Sequence, residues 1–319
     1  MKIEFNRAFL GAALAAACAA AAAQGFPAKE VTLVVNYGAG GNTDVAARAV
    51  ARGMEKGLDK AVIVQNRAGA LGTLGPSFVA KQKPDGYTIG MVTYSTIAIT
   101  PHLLAVDYTV KDFDFLAGVG RYRYGVAVRA DSPYKNVADL VQAAKSGKGI
   151  FFGAPSAPNN LALLELGRKT GGKFEQVSYK SGSETVNALL GGQVEVIVQN
   201  PSDVMSFIKA GRVRLLASAS PVRWPELPDV PTMKEQGFDV EIDSWLGLAA
   251  PRGTPKAVVD KLQASMLQAM NTDEVKQQFV NAGVDPTALS GKDYADLLIK
   301  GHETMGAAIK AANLPRIQP

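Results

Sequence analysis

The chain has 319 residues, of which 47% are hydrophobic and 20% are charged, a composition typical of a globular protein rather than a disordered one. Its formal net charge is +5 at pH 7. Because lysine and arginine form no dense cluster, we exclude nucleic acid as a partner.

The first 23 residues have the pattern of a signal peptide. Lys2 and Arg7 give a positive start, and Ala8–Ala23 is a run of small and apolar side chains that ends in three alanines, a cleavage pattern. The run is shorter than the roughly 20 residues that a membrane span needs. We therefore expect residues 1–23 to be a signal peptide and the mature chain to be exported.

The only cysteine, Cys18, lies inside this segment. Cleavage after Ala23 would remove it, which excludes disulfides, a thiol nucleophile and a cysteine-ligated metal. Cys18 could instead be a lipidated N-terminus, but a lipoprotein signal usually has leucine three residues earlier, where this chain has Ala15. We expect no lipid at Cys18.

The first part of the mature chain alternates strands and helices. Apolar runs predict strands over Val31–Val35, Val62–Gln65 and Thr88–Val92, and helical spacing predicts a helix over Val45–Met54. A second helix contains Pro76 in its first turn, where proline is tolerated. Such strand–helix–strand units predict an α/β fold with mixed, mostly parallel sheets flanked by helices.

The middle of the chain repeats this plan. The predicted strands are 150–152, 175–179, 194–199 and 215–218, and the predicted helices are 136–145, 160–169, 184–190 and one that begins at Pro201. A strand from Ser244 and two amphipathic helices complete the chain. At roughly 150 residues per domain the length fits two domains. The order predicts a first domain of residues 24–124 and 244–319, with a second domain of residues 125–243 inserted into it.

A glycine-rich loop, Gly38–Asp44, joins the first strand to its helix. Glycines let the backbone turn tightly and approach a ligand closely, and the helix that follows presents unpaired N–H groups and a positive dipole end. Asn42 or Thr43 is expected to cap this helix. Ligands of open α/β sheets bind beyond the carboxyl ends of the strands. A tight turn without a ligand would have the same sequence pattern.

A second glycine loop, Ala68–Thr73, follows the second strand, so that two loops could hold a carboxylate from both sides. The alternative is a dinucleotide site, because Gly38-x-Gly40 follows a strand. However, Thr43 stands at the third glycine position, and the second strand ends in Gln65-Asn66 rather than an acidic residue. We expect no cofactor.

The sequence offers little for catalysis or metal binding. His102 and His302 lie far apart and have no metal-ligand spacing, and there is no GxSxG elbow. No carboxylate pairs with an evident nucleophile. We therefore predict no catalytic residue and no metal site, and an exported α/β enzyme remains the alternative.

Polar, uncharged loops follow strands of the second domain, and tyrosines follow two strands of the first. The polar residues could contact a ligand or cap helices, and the tyrosines could stack on a ligand or cover the sheet. The residues predicted to bind ligand are Tyr37, Gly38, Ala39, Gly40, Gly41, Asn42, Thr43, Asp44, Ala68, Gly69, Ala70, Leu71, Gly72, Thr73, Tyr94, Ser95, Ser156, Asn159, Asn160, Gln199 and Asn200.

Several segments of the mature chain, in the same order, resemble the tripartite tricarboxylate transporter solute receptors, also called the Bug or TctC family. These segments are Phe26–Val35 running into GAGGNTDVAAR, Lys83–Thr88, Val177–Gly182, Leu189–Val194, Leu227–Thr232, Ser244–Leu248 and Ala250–Pro255. They cover essentially the whole mature chain, so the resemblance is highly specific.

The resemblance implies a periplasmic binding protein of type II, a two-domain clamp of the Venus flytrap kind that closes on its ligand about a hinge. It further implies that the two glycine loops hold a carboxylate and that residues 153–160 and 199–202 select the rest of the ligand. Membrane subunits of a tripartite transporter are the implied partners, and we expect a monomer. A periplasmic sensor that signals to a partner protein would have the same cleft.

Departures from the family pattern bear on the ligand. Asn36 and Tyr37 stand where the first loop often begins with proline and phenylalanine, and Leu71 stands in place of a glycine of the second loop. Leu71 would add an apolar wall. The second-domain loop often carries serines and a histidine, where this chain has Pro155, Pro158, Asn159 and Asn160. From these departures we hypothesise a less hydrophilic pocket, for an aromatic or longer dicarboxylate.

Overall fold

The computed structural model describes residues 25–311. The predicted signal peptide and Cys18 lie outside these residues. Within 25–311, no helix combines the length and the apolar character that crossing a bilayer requires.

Strands and helices alternate along most of the chain. The strands are β1 (Val31–Val35), β2 (Val62–Asn66), β3 (Thr88–Met91), β4 (Phe113–Tyr122), β5 (Gly125–Arg129), β6 (Ile150–Ala154), β7 (Phe174–Ser178), β8 (Val196–Gln199), β9 (Val213–Ser218), β10 (Trp245–Pro251) and β11 (Val284–Ser290). The helices are α1 (Asn42–Leu58), α2 (Leu74–Ala80), α3 (Thr100–Leu103), α4 (Val137–Lys145), α5 (Ala157–Thr170), α6 (Gly182–Leu190), α7 (Pro201–Lys209), α8 (Lys256–Met270), α9 (Asp273–Asn281) and α10 (Gly291–Ala311). A π-helical turn, Ser95–Ile99, leads into α3.

The strands form two sheets, in the orders β11-β4-β10-β3-β1-β2 and β7-β6-β8-β5-β9. Four pairings are parallel, β1 with β2 and β3, and β6 with β7 and β8. The other five are antiparallel. The sheets are therefore mixed, as predicted, but the expectation that they are mostly parallel is wrong. Parallel pairing requires a crossover connection. Each of the five antiparallel pairings instead involves β4, β5, β9 or β10, the strands at which the chain leaves or enters a sheet.

Helices cover both faces of the first sheet. Leu33 of β1 packs in one cluster with Met54 of α1 and Leu262 of α8. Val34, the next residue, points to the opposite face and packs in another cluster with Val79 of α2 and Leu298 of α10. Alternate side chains of a strand point to opposite faces, so a strand buried on both sides is apolar throughout. This explains the unbroken run VTLVV.

The chain passes between the two sheets twice, from Tyr122 to Gly125 and back between Ser218 and Trp245. The predicted domain boundaries fall within these two crossings, and the precise division stays a prediction. Arg123 lies in the first crossing and is buried. It forms ion pairs with Glu226 of the second crossing and with Asp285 of β11, whose Oδ1 lies 3.1 Å from its Nε. Arg123 thus holds the two crossings and the edge of the first sheet together.

We expect Arg123→Met to lower the free energy of unfolding by about 3 kcal/mol, because loss of a buried ion-pair partner leaves charges uncompensated. The side chain of Arg123 is 2% exposed, while those of Glu226 and Asp285 are 29% and 36% exposed and can regain some water. Denaturant titration of wild type and Arg123→Met measures the change in the free energy of unfolding.

The matched control is Arg121→Met. Arg121 forms a bidentate pair with Asp243, another residue of the second crossing, with N–O distances of 2.6 and 2.7 Å. These side chains are 31% and 43% exposed, so we expect the control to cost at most about 1 kcal/mol. Equal losses in the two variants would contradict the role given to Arg123.

Candidate ligand-binding cavity

A cavity of about 60 Å³ lies between the two sheets. Residues from the first sheet and its loops line one side, and these are Tyr37, Gly38, Gly41, Asn42, Thr43, Ser95 and Tyr122. Tyr124 lines it from the first crossing. The other side is lined by Pro155, Ser156, Asn159, Lys180, Ser181, Gly182, Gln199, Asn200 and Asp203. The structure thus brings together loops that are far apart in the sequence.

Four helices begin at this cavity. Gly41, Ser156, Ser181 and Asn200 are the N-cap residues of α1, α5, α6 and α7 respectively, and all four line the cavity. The first N–H groups of a helix have no partner within it, and each N-terminus carries a partial positive charge. Four such ends at one cavity favour an anion.

The N-cap of α1 differs from the sequence prediction. Gly41 is the cap residue, and no side chain caps the helix. Asn42 and Thr43, the predicted caps, are already helical, and the Asn42 Oδ1 accepts a hydrogen bond of 2.7 Å from the Thr43 N–H. The prediction that Asn42 or Thr43 caps the helix is therefore wrong. Because Gly41 has no side chain, the start of α1 remains open to the cavity.

Helix N-termini without a side-chain cap recur among the helices that follow strands of the second sheet. Neither α5 nor α7 has a hydrogen bond from its N-cap side chain to the first turn. Ser156 Oγ donates to Asn159 Oδ1, and Asn200 Nδ2 donates to the Arg123 carbonyl. Only α6 among these four helices has a side-chain cap, from Ser181 to the Glu184 N–H. Three of the four N-termini are therefore left for another acceptor.

The glycine loop is fixed by Asp44. Gly40 has a positive φ of 80°, and its N–H donates to Asp44 Oδ2 at 2.9 Å. Arg48 Nε and Asn66 Nδ2 donate to the same carboxylate at 2.9 and 2.8 Å. Burial alone would raise the pKa of Asp44, but these hydrogen bonds outweigh it and lower the pKa. Asp44 is thus a charged brace that shapes the loop from behind the cavity.

Hydroxyl groups line the side of the cavity nearest the first sheet. Thr43 Oγ1 and the Tyr122 hydroxyl lie 2.7 Å apart, and the Tyr37 hydroxyl lies 3.1 Å from Ser95 Oγ. Burial raises the pKa of both tyrosines above its ordinary value, so their hydroxyls stay protonated at neutral pH. This wall offers neutral hydrogen-bonding groups.

Two charged side chains line the cavity, Lys180 and Asp203, and neither was predicted from the sequence. Lys180 is exposed, whereas Asp203 is partly buried, and burial raises its pKa from 3.8 to about 6. Asp203 lies in the first turn of α7, where aspartate is an ordinary helix-start residue, so its sequence position gave no functional signal. Lys180 directly precedes Ser181, the N-cap of α6, and this position after a strand was the sequence signal that could have placed it at the site.

Several predicted ligand residues lie outside the cavity lining. Ala39, Gly40 and Asp44 belong to the first loop but do not line the cavity. The second loop, Ala68–Thr73, packs behind Tyr37, because a Cβ built on Gly72 would lie 2.8 Å from the Tyr37 ring. Tyr94 packs against Gly301 of α10, and Asn160 is buried without lining the cavity. Ligand contact by these residues stays a prediction.

The two histidines pack on each other away from the cavity. Their ring centroids are 4.2 Å apart, and His302 Nδ1 donates to the Ile97 carbonyl at 2.9 Å. Across residues 25–311, the structure has no group of three or more His, Cys, Asp or Glu side chains that could hold a metal ion.

Asp203 should make stability depend on pH. Since its pKa in the folded state is about 6, above the ordinary 3.8, the folded state holds this proton more tightly than the unfolded chain. The stabilisation from this proton is complete below about pH 4 and is lost as the pH rises through about 6. We expect Asp203→Asn to be more stable than wild type by about 1–3 kcal/mol at pH 7.5, and by much less at pH 4.

Denaturant titrations of both proteins at the two pH values measure this difference. Asp273→Asn is the control, because Asp273 lies in the first turn of α9 and is exposed. A stability difference between Asp203→Asn and wild type that is the same at both pH values would contradict the prediction.

The chain is similar to known proteins over most of its length. The model of the protein family described as "Tripartite tricarboxylate transporter family receptor" matches residues 46–314. A Cupriavidus necator protein described as "UPF0065 protein in gbd 5'region" is 32% identical over 309 residues, which is 96% of this chain and 94% of the relative.

Solved structures are similar over most of the chain. The periplasmic binding protein BugD has a TM-score of 0.83 and 29% identity, covering 91% of this chain and 99% of BugD. The R. palustris protein Rpa4515 with adipate has a TM-score of 0.84 and 28% identity, covering 90% of this chain and 98% of that protein. The chain belongs to the tripartite tricarboxylate transporter receptors, the Bug and TctC family of solute-binding proteins, and has their two-domain α/β fold.

Proposed function

We propose that this chain is an exported periplasmic receptor that captures a small organic carboxylate in the cavity between its domains and delivers it to the membrane subunits of a tripartite tricarboxylate transporter. The observation that carries the proposal is the meeting of four helix N-termini at one cavity, three of them without a side-chain cap. Export would use residues 1–23 as a cleaved signal, and the receptor would act as a monomer.

The start of α1 is the proposed carboxylate site. Gly38, Gly41 and Asn42 let a ligand reach the backbone N–H groups, and the Thr43 hydroxyl lies beside them. A hydrogen bond to a charged group contributes about 1.5–3 kcal/mol, and a partly buried helix N-terminus adds up to about 2 kcal/mol. Two or three such contacts offset the cost of removing a carboxylate from water.

The position of the cavity supports capture by domain closure. A ligand bound at α1 would also touch Ser156, Asn159 and the Gln199-Asn200 segment from the other sheet. It would therefore stabilise the closed arrangement of residues 24–124 and 244–319 against residues 125–243. The two crossings that contain Arg123 and Glu226 are the proposed hinge.

The size of the cavity favours a small ligand. The cavity's volume of about 60 Å³ is well below the roughly 300–1,000 Å³ of many ligand pockets. Leu71, one of the departures on which the hypothesis of an aromatic or longer dicarboxylate rested, does not line the cavity, whereas Tyr37, Pro155 and Asn159 do. We therefore propose a short carboxylate.

We propose binding without turnover. The lining hydroxyls of Thr43 and Ser95 pair with tyrosine hydroxyls rather than with a general base. Both histidines of the chain lie outside the cavity lining. Conversion of any bound carboxylate by the purified protein would overturn this part of the proposal.

We expect Asn42→Pro to weaken binding of carboxylates by about 10-fold or more, because it removes one N–H donor to the charged ligand. Proline is tolerated at the first position of a helix, and the extended backbone of Gly41 (ψ 168°) is compatible with a following proline. Isothermal titration with a panel of short carboxylates measures the affinity.

Two control variants isolate the N–H group. Asn42→Ala removes the same side chain but keeps the N–H, so it should bind more tightly than Asn42→Pro. Lys256→Pro places proline at the first position of α8, which does not reach the cavity, and should leave binding unchanged. Equal affinities of Asn42→Pro and Asn42→Ala would contradict the proposed carboxylate site.

A further inference from the structure

The end of the cavity nearest the second sheet already contains a carboxylate. Asp203 lies in the first turn of α7, and its side chain approaches Gly182, the first residue of α6. A Cβ built on Gly182 would lie 2.4 Å from Asp203 Oδ2, so the glycine allows this close approach. The carboxylate of Asp203 therefore occupies the space beside the α6 N-terminus, where a second carboxylate of a ligand could otherwise bind.

The lining also contains a buried amide that has no hydrogen-bond partner among residues 25–311. This is Gln199, which is 0% exposed, and neither its Oε1 nor its Nε2 has a partner in the described part of the chain. Leaving both polar atoms of a buried amide without hydrogen bonds costs free energy. This indicates that water or a ligand forms hydrogen bonds with them. The amide can turn either atom toward the cavity, so it adapts to a donor or an acceptor.

We propose that Asp203, with the amide oxygen of Gln199 turned toward the cavity, makes this end of the cavity an acceptor site, so that the ligand is a short monocarboxylate whose far end carries an N–H or O–H donor. This inference rests on the proposed function, because it takes the start of α1 as the site of the ligand's carboxylate.

The negative charge of Asp203 is the reason to expect discrimination between donor-ended ligands and dicarboxylates. An ionised Asp203 can only accept hydrogen bonds, whereas a hydroxyl or ammonium group of a ligand can donate one to it. A second ligand carboxylate would face Asp203 as a like charge within a small cavity where water screens it little. Lys180, the other charged lining residue, is exposed to solvent and therefore compensates only weakly. Asp203 thus favours donor-ended ligands over dicarboxylates of the same length.

A purely structural role for Asp203 is the competing explanation. An acid in the first turn of a helix interacts favourably with the helix dipole whatever the ligand. That role would alter stability but not the order in which ligands bind. Ligand preference therefore separates the two roles.

The test is isothermal titration at pH 7.5 with length-matched probes: succinate, 4-hydroxybutanoate and 4-aminobutanoate, then glutarate, 5-hydroxypentanoate and 5-aminopentanoate. In wild type, the better donor-ended probe of a set should bind at least about 10-fold more tightly than its dicarboxylate. Asp203→Asn, and Asp203→Ser as a second variant, should reduce that ratio at least about 10-fold. Asp273→Asn should leave it unchanged.

Two results would overturn the inference. One is a wild-type protein that binds the dicarboxylate of each set as tightly as its donor-ended probes. The other is a ratio unaltered by both Asp203 variants. Neither result touches the proposed function, which fails instead if none of the carboxylates, at either length, binds to wild type or raises its melting temperature.

Discussion

Helix α1 begins at a glycine that has no side chain to cap it, and the cavity is built around the N–H groups that this leaves open. Gly41 provides the extended backbone before the helix, while Asp44 holds the loop through Gly40 and is itself held by Arg48 and Asn66. The Asp44 carboxylate accepts these hydrogen bonds behind the loop and does not line the cavity. The positive end of α1 therefore remains available on the cavity side.

Contacts from this site extend to the connections between the two sheets. Thr43 of α1 is joined to Tyr122, the last residue of β4, by their hydroxyl groups. Asn200, on the opposite wall, donates to the carbonyl of Arg123 in the first crossing. A ligand held between Thr43 and Asn200 would thus touch residues anchored on either side of the proposed hinge. This links binding at the cavity to the relative position of the domains through direct contacts.

Much of the fold could be predicted from the sequence because buried strands are apolar on both faces. The run VTLVV gave β1 with its bounds, and the alternation after it gave α1, β2 and β3 within a few residues. β4, β5 and β11 were missed, and β5 (GVAVR) begins only three residues after β4 ends. β4 mixes glycines with apolar residues, and β11 (VDPTALS) is an edge strand that contains proline, so neither has a clear period of two.

The site was predictable only in part, because the sequence indicates where a loop begins but not which way it turns. A glycine loop at the end of a strand indicates where a ligand could approach, and Gly38, Gly41, Asn42 and Thr43 do line the cavity. The direction of the second loop depends on positive φ angles at Ala70 and Leu71, which neither residue type signals, and it turns behind Tyr37. Asp203 reads as a helix-start acid until the three-dimensional structure brings it to Gly182.

The most direct test of the central claim is a crystal structure of the mature chain with a captured carboxylate. The account predicts both carboxylate oxygens within about 3 Å of the backbone nitrogens of Gly41 and Asn42 at the start of α1, or joined to them through one ordered water. A carboxylate that instead contacts Lys180 and makes no contact with α1 would contradict it.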